Sequence, residues 1–455
     1  MSATEPTSER VSRRERALER ARQAVSEHTP RIARVSPPES PEPLVGGPAL
    51  ESPAARSTAL FIGIALLMAG NGLQNTLLGV RAQSEGFGST VAGLVMAMNF
   101  MGFLAGAALA PRFLRQVGHV RVFAALASAG SSVVLVQAVF IHPIVWGVGR
   151  FSWGVCFAGL IVVAETWLNE LATNENRGRV LARYMVITMG AIATGQLLVA
   201  TADTNGFALF AVVSVLVSLA LVPMSLSASS SPAIVAPEPL GLRTLLRTAP
   251  TGVVVAFLVG GALGSISAIG PVYASARGLS PVQVAMFVAA PMVGSLFGQL
   301  PLGRLSDRVP RRAVIVVASA IAGTMCLLML ALDERGLAGI VVMAVMGAFA
   351  YPVYSLAIAQ ANDWLRHTQR ASASALLVRM NGIGATVGPM SAAIGMSVTL
   401  NAFYFEMAAA HALIVLFVVA RVLLVAGPAV ADQGAFHPIP ARATASVAAL
   451  LRRRR

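Results

Sequence analysis

From Thr58 to Val425 the chain is a near-continuous succession of apolar runs, each close to the roughly 20 residues a helix needs to cross the hydrocarbon core of a bilayer. Twelve such runs can be read, at 58–80, 89–110, 120–140, 143–168, 179–201, 206–226, 250–273, 281–303, 312–331, 337–361, 371–395 and 402–425. With 56% hydrophobic residues, 12% charged residues and a mean hydropathy of +0.72, a water-soluble fold would have to expose large apolar surfaces. The pattern therefore predicts an all-α membrane protein of twelve transmembrane helices.

The formal charge of +14 invites a nucleic-acid reading, but the basic residues do not line one face. All 34 are arginine, and they cluster in the loops after even-numbered runs. Arg112, Arg115 and Arg121 follow run two, and Arg177, Arg179 and Arg183 follow run four. Arg243 and Arg247 follow run six, Arg304, Arg308, Arg311 and Arg312 run eight, and Arg366 and Arg370 run ten. Odd-numbered exits carry little beyond Arg81, Arg277 and Arg335, with Asp203, Asp333 and Glu334 beside them. Because cytoplasmic loops hold the basic excess, both termini are expected in the cytoplasm of a bacterial inner-membrane protein. Cys156 and Cys326 lie inside apolar runs, which argues against a disulfide framework.

Residues 1–57 mix arginine and glutamate and then turn Pro-rich, a composition expected to remain a disordered cytoplasmic tail. No cleavable leader is expected ahead of the first apolar run. A polar, Pro-rich linker at 227–249 separates two sets of six runs, 58–226 and 250–425, and a basic tail occupies 426–455. The terminal Arg452 to Arg455 are expected to touch anionic lipid headgroups. A repeat supports the division. With an offset of 192 and no gap, the stretch from Gly86 lies over the stretch from Gly278, placing Gly102 on Gly294, Gly106 on Gly298 and Arg112 on Arg304.

Several strings carry a family resemblance. Gly303-x-Leu305-Ser306-Asp307-Arg308-x-Pro310-Arg311-Arg312 resembles the loop signature of the major facilitator superfamily, with proline where glycine is usual. Arg150-Phe151-Ser152-Trp153-Gly154 resembles its fourth-helix arginine motif, and VAETWLNE, NRGRVLARY, YPVYSLAIAQANDWL and NGIGATVGP look like its YcaD-like branch. The resemblance implies two six-helix bundles working by alternating access on a small solute. It also implies that the loop holding Asp307 lies near the start of helix five in the other half. An inter-domain latch is then expected from Asp307 to the region of Arg177 and Arg179, and from Arg308 to Glu165 or Glu170. Arg311 and Asp363 belong to the same gate region, and the competing reading is that these arginines only set topology. The first half's loop has Arg115 where the second has Asp307.

Ionisable residues inside a membrane are costly and default to functional hypotheses. Arg150 falls about 11 Å into run four and Arg379 about 12 Å into run eleven at 1.5 Å per residue. Both are candidates for binding an anionic or zwitterionic solute, with Asn71, Gln74, Asn75, Gln196, Tyr351, Tyr354 and Asn381 as polar neighbours. Structural bonding to carbonyls is the alternative for Arg150. For proton coupling the sequence offers Glu165, Asp363, Glu406 and His411: Glu165 and Asp363 fall at the cytoplasmic ends of runs four and ten, where gate pairing is the simpler role, and for Glu406 and His411 on run twelve the alternative is ordinary interhelical polar packing. Helix five lacks the Gly-Pro pair usual in the superfamily's drug-exporting antiporters, which leans the reading toward a small polar metabolite; drug efflux and a non-transporting receptor are the rivals. No nucleotide-binding loop, metal-ligand spacing or catalytic constellation is present, so no cofactor and no enzymatic activity are expected, and the protein is expected to act as a monomer.

Overall fold

The computed structural model describes residues 53–171, 176–227, 240–366 and 368–425, with positions 427, 430, 433, 434 and 436 beyond them. Most of the expected tails and of the 227–249 linker lie outside the described residues, as do the side chains of Glu170 and Arg177. All that follows belongs to one compact unit, Ala49–Arg455.

The described residues form fourteen α-helices and no strands. In the first half these are α1 (Pro53–Ser84), α2 (Gly88–Val117), α3 (His119–Val139), α4 (Pro143–Leu171), α5 (Arg177–Leu197) and α6 (Ala208–Ser227). A short α7 (Leu242–Thr248) leads into α8 (Pro250–Ala268), α9 (Gly270–Ala276), α10 (Pro281–Ser306), α11 (Arg311–Leu328), α12 (Leu337–Asn362), α13 (Arg370–Met396) and α14 (Ala402–Leu424). The expected run 250–273 is thus split at Ile269. Gly270-Pro271 follows, and proline there removes a backbone donor, so α9 restarts with Pro271 in its first turn. The start of α10 is set by a capping box, Ser280 with Gln283, and by Pro281.

Eleven helices are long and apolar enough to span a bilayer by length and composition. The expected run missing from these eleven is run eleven, which is α13, 27 residues that include Arg370, Arg379 and Asn381. Its polarity takes it out of the apolar class, yet it packs along α8 and α2. The two halves repeat each other in space. Helices α1–α5, α1–α6, α2–α4, α3–α4 and α3–α6 pack together in the first half; α8–α13, α8–α14, α10–α12, α11–α12 and α11–α14 are their counterparts in the second.

Glycine decides the closest of these crossings. A Cβ at Gly102 or Gly106 would overlap the carbonyl oxygens of Phe151 and Val155 on α4, and one at Gly294 or Gly298 would overlap those of Ala344 and Ala348 on α12. Small residues four apart let backbones touch where side chains would hold them off. The glycines placed in register by the sequence repeat therefore do the same work in each half. They join helices within a half rather than joining α2 to α13 across the middle. Inner and outer helices separate by burial: α4 and α8 have 72% and 78% of their apolar window buried, α3, α6 and α14 only 33%. The outer helices present Val136, Val215, Leu416 and similar side chains outward, as a lipid-facing surface requires.

Candidate functional site

A narrow cavity lies between the halves, walled by α1, α2 and α5 on one side and by α8, α10, α12 and α13 on the other. Its wall includes Tyr184, Thr188, Leu263, Met292, Tyr351 and Asn381, and none of its lining side chains is charged. A second, smaller space shares Phe100, Asn381 and Ala385 with it and is lined also by Phe103 and Phe157. On the side away from the arginine-rich loops the halves close on one another. A Cβ at Gly79 of α1 would sit 2.6 Å from Pro271 Cβ of α9, and the Thr90 hydroxyl of α2 donates to the Ala393 carbonyl of α13 at 3.1 Å.

The polar residues of the first half form a network of their own. Arg150 on α4, 1% exposed, donates from Nη2 to Asn75 Oδ1 on α1 at 2.6 Å. Trp153 Nε1 donates to Asn71 Oδ1 at 3.3 Å, and Gln74 Nε2 donates to Gln137 Oε1 on α3 at 3.1 Å. These groups knit α1, α3 and α4 together, and none lines the cavity. A hydrogen bond to a charged group contributes about 1.5–3 kcal/mol. Asn75→Leu is expected to lower the thermal unfolding temperature of the purified protein accordingly, and a melting curve identical to wild type would show that Arg150 does not depend on it.

The model of the Major Facilitator Superfamily matches residues 60–332 and 252–455. The chain belongs to that superfamily. It is 28% identical over 366 residues to an uncharacterized MFS-type transporter of Enterobacter sp. (strain 638), covering 80% of this chain and 94% of that one. It is 26% identical over 369 residues to the uncharacterized MFS-type transporter YcaD of Escherichia coli (strain K12 / DH10B), with the same coverage. Among solved structures, the nucleoside transporter NupG superposes with a TM-score of 0.66 at 13% identity, covering 81% of this chain and 98% of that one. An inward-facing, occupied bacterial homologue of the human lysosomal transporter Spinster gives 0.62 at 15%, covering 83% and 97%. At these identities the structures speak for the fold. The chain is thus a multi-pass membrane transporter of the superfamily.

The remaining candidates fall in several places. Tyr351 and Asn381 stand on the cavity wall, and Asn381 Nδ2 donates to the Ala256 carbonyl at 3.1 Å. Gln196 and Tyr354 are buried but off the wall. Arg379 is exposed on α13, on the same helical face as Ile383 and Val387, which are themselves exposed. It is not among the residues that line the cavity.

The superfamily loop is held from within its own half. Arg311, 2% exposed, pairs with Asp363 at 2.5 Å and with Asp307, one helical turn before it, at 3.4 Å. Past α14 the chain returns to this cluster. Phe436 N–H donates to Asp307 Oδ1 at 2.8 Å, Gly434 N–H donates to Asp363 Oδ1 at 3.1 Å, and the Gly434 carbonyl accepts from Arg311 Nη2. Burial pushes the Asp363 carboxyl above the ordinary aspartate range, while the Arg311 guanidinium pulls it back. Arg308 and Arg179 are exposed, and among the described residues no ion pair joins Asp307 or Arg308 to α4 or α5.

Glu165, placed by sequence at the gate, is fully buried on α4 and accepts a 2.8 Å hydrogen bond from Tyr184 on α5. Glu406 on α14 faces Gly261 of α8, and His411 is buried against Gly323 of α11; neither reaches the cavity wall. Among the described residues no group of three or more His, Cys, Asp and Glu is arranged to hold a metal ion. Sequence reasoning sought the site among polar residues and so passed over Met68, Phe100, Met189, Met292 and Leu263, which line it. Nothing in the apolar pattern separates a wall residue from a packed one.

Proposed function

We propose that this transporter moves a small uncharged solute by alternating access, using the cavity between its halves as the solute site and a proton gradient as the driving force. The cavity itself carries the reading, because both halves contribute to it and no charge lines it. Binding at the interface of two repeated bundles is how such an architecture exposes one site to each side in turn. The earlier leaning toward an anionic solute rested on Arg150 and Arg379. The first is engaged inside the first half and neither lines the cavity, so a neutral solute is the better match. Tyr351, Asn381 and Thr188 supply hydrogen bonds and the apolar wall supplies desolvated contact.

The arginine-rich loops assign the end near Asp307 and Asp363 to the cytoplasm, with both termini there, in a bacterial inner membrane. The protein acts as a monomer, its basic tail against anionic headgroups. One observation favours a second reading, export of apolar drugs against protons: three flexible methionines, Met68, Met189 and Met292, line the wall. The test is uptake into proteoliposomes of a panel of uncharged metabolites, nucleosides among them, and of apolar drugs, with the proton gradient imposed in either direction. A metabolite should accumulate with the gradient, and Met292→Trp, which fills the cavity, should stop it. Binding without flux under any gradient would mean a receptor rather than a transporter.

A further inference from the structure

We propose that Glu165 is the proton-binding residue of this transporter and that Tyr184 is the group through which its protonation reaches the solute. The proposal rests on the transport reading above and deepens it. Glu165 is 0% exposed on α4, an expensive place for a carboxylate unless something holds it. The Tyr184 hydroxyl donates to its Oε1 at 2.8 Å. Tyr184 is itself on the cavity wall, one turn from Thr188. A carboxylate is thereby placed one side chain behind the solute, screened from water and linked to it.

Among the described residues, groups from both halves come near Glu165. Tyr184 approaches from α5. Tyr354, fully buried on α12 in the opposite half, lies within electrostatic reach of the Glu165 carboxylate. Glu165 is therefore bonded to a residue of the cavity wall and lies within electrostatic reach of the facing half. Glu406 is adjacent to α8 and α11 within its own half.

The proton step needs no covalent change beyond its own O–H bond. While Glu165 is ionised it only accepts, and the Tyr184 proton is committed to it. When Glu165 takes up a proton from water it becomes a donor, and Tyr184 can accept from it. The Tyr184 hydroxyl is then free to donate its own proton in a hydrogen bond to Thr188 or to a solute acceptor in the cavity. Proton and solute each favour the state the other binds, which is positive linkage and gives symport rather than exchange.

The experiment needs no solute. Infrared difference spectra of the full-length protein reconstituted in lipid would be recorded on a step from neutral to acidic pH, reading the carbonyl stretch of a neutral carboxylic acid. Wild type should gain such a band on acidification, Glu165→Gln should lack it, and Glu406→Gln should keep it. Tyr184→Phe, which preserves the ring, should shift its frequency and its titration midpoint, a change that loss of packing alone does not produce. A band indifferent to Glu165→Gln, or lost in Glu406→Gln instead, overturns the proton site while leaving transport standing. Absence of solute flux in wild-type proteoliposomes overturns the transport reading, and the coupling role with it.

Discussion

Gly294→Ala is expected to abolish the accumulation of correctly folded protein, or to lower its unfolding temperature sharply, while Gly147→Ala leaves both unchanged. The added methyl at position 294 would overlap the Ala344 carbonyl oxygen, which is backbone and cannot turn aside as a side chain can. Relief requires α10 and α12 to move apart. That motion is opposed one turn on by Gly298 against Ala348, and from the other helix by Gly347 against Pro291. Overpacking a well-packed crossing costs roughly 1–3 kcal/mol, and separating two helices along this length places Gly294→Ala at or above the upper end. At Gly147 a Cβ meets nothing within 4 Å. Gly102→Ala, its repeat counterpart on α2, should resemble Gly294→Ala. The comparison is made by thermal unfolding of detergent-purified variants, and equal melting of the 294 and 147 variants would refute the claim that these crossings need glycine.

The second large effect is expected at Arg311. Arg311→Met removes the guanidinium that Asp363 and Asp307 share, leaving the Asp363 carboxylate buried at 5% side-chain exposure, with the Gly434 N–H as a remaining donor among the described residues and Arg370 as a more distant positive charge. Breaking one side of a buried pair typically costs about 3–5 kcal/mol, whereas replacing both partners by apolar groups is often close to neutral. Arg311→Met should thus be severely destabilised and Arg311→Met/Asp363→Leu should recover much of the loss. Arg311→Lys should recover less than the double variant, because an ammonium cannot reach Asp363, Asp307 and the Gly434 carbonyl as the planar fork does. Asp307→Asn should cost far less than either single change at the pair, since its side chain is 39% exposed and solvent takes over part of its role. If the double variant melted no higher than Arg311→Met, the cost would lie in the lost contacts with Gly434 and Asp307 rather than in an abandoned charge.

The spans were legible because each is decided locally. A segment in lipid must satisfy its own backbone, so its length and apolarity announce it without reference to its neighbours. Where local composition and tertiary context disagree, the reading weakened. The polar α13 keeps its place through packing on α8 and α2, and Gly270-Pro271 breaks a run that apolarity alone would leave whole. The repeat was legible too, since Gly102 and Gly294 meet equivalent carbonyls in the two halves.

Which residues form the site was not legible in the same way. Asn71, Asn75 and Arg150 look like a binding site because they are polar and deep, yet their bonding partners come from helices one and four of the same half. Asp307, singled out because the first half has Arg115 in its place, is engaged by Arg311 and by a chain segment about 130 residues away in sequence, which no local pattern foretells. Glu165 reads as a gate residue from its position near a helix end; only the arrival of Tyr184 from α5 sets it behind the cavity. The sequence by itself determined a polytopic helical membrane protein, its repeat and its distribution of charge, because these follow from the solvent each segment must meet. The tertiary structure alone decided which wall faces the solute and which polar groups are spent holding helices together, because that choice depends on partners supplied by segments far apart in the chain.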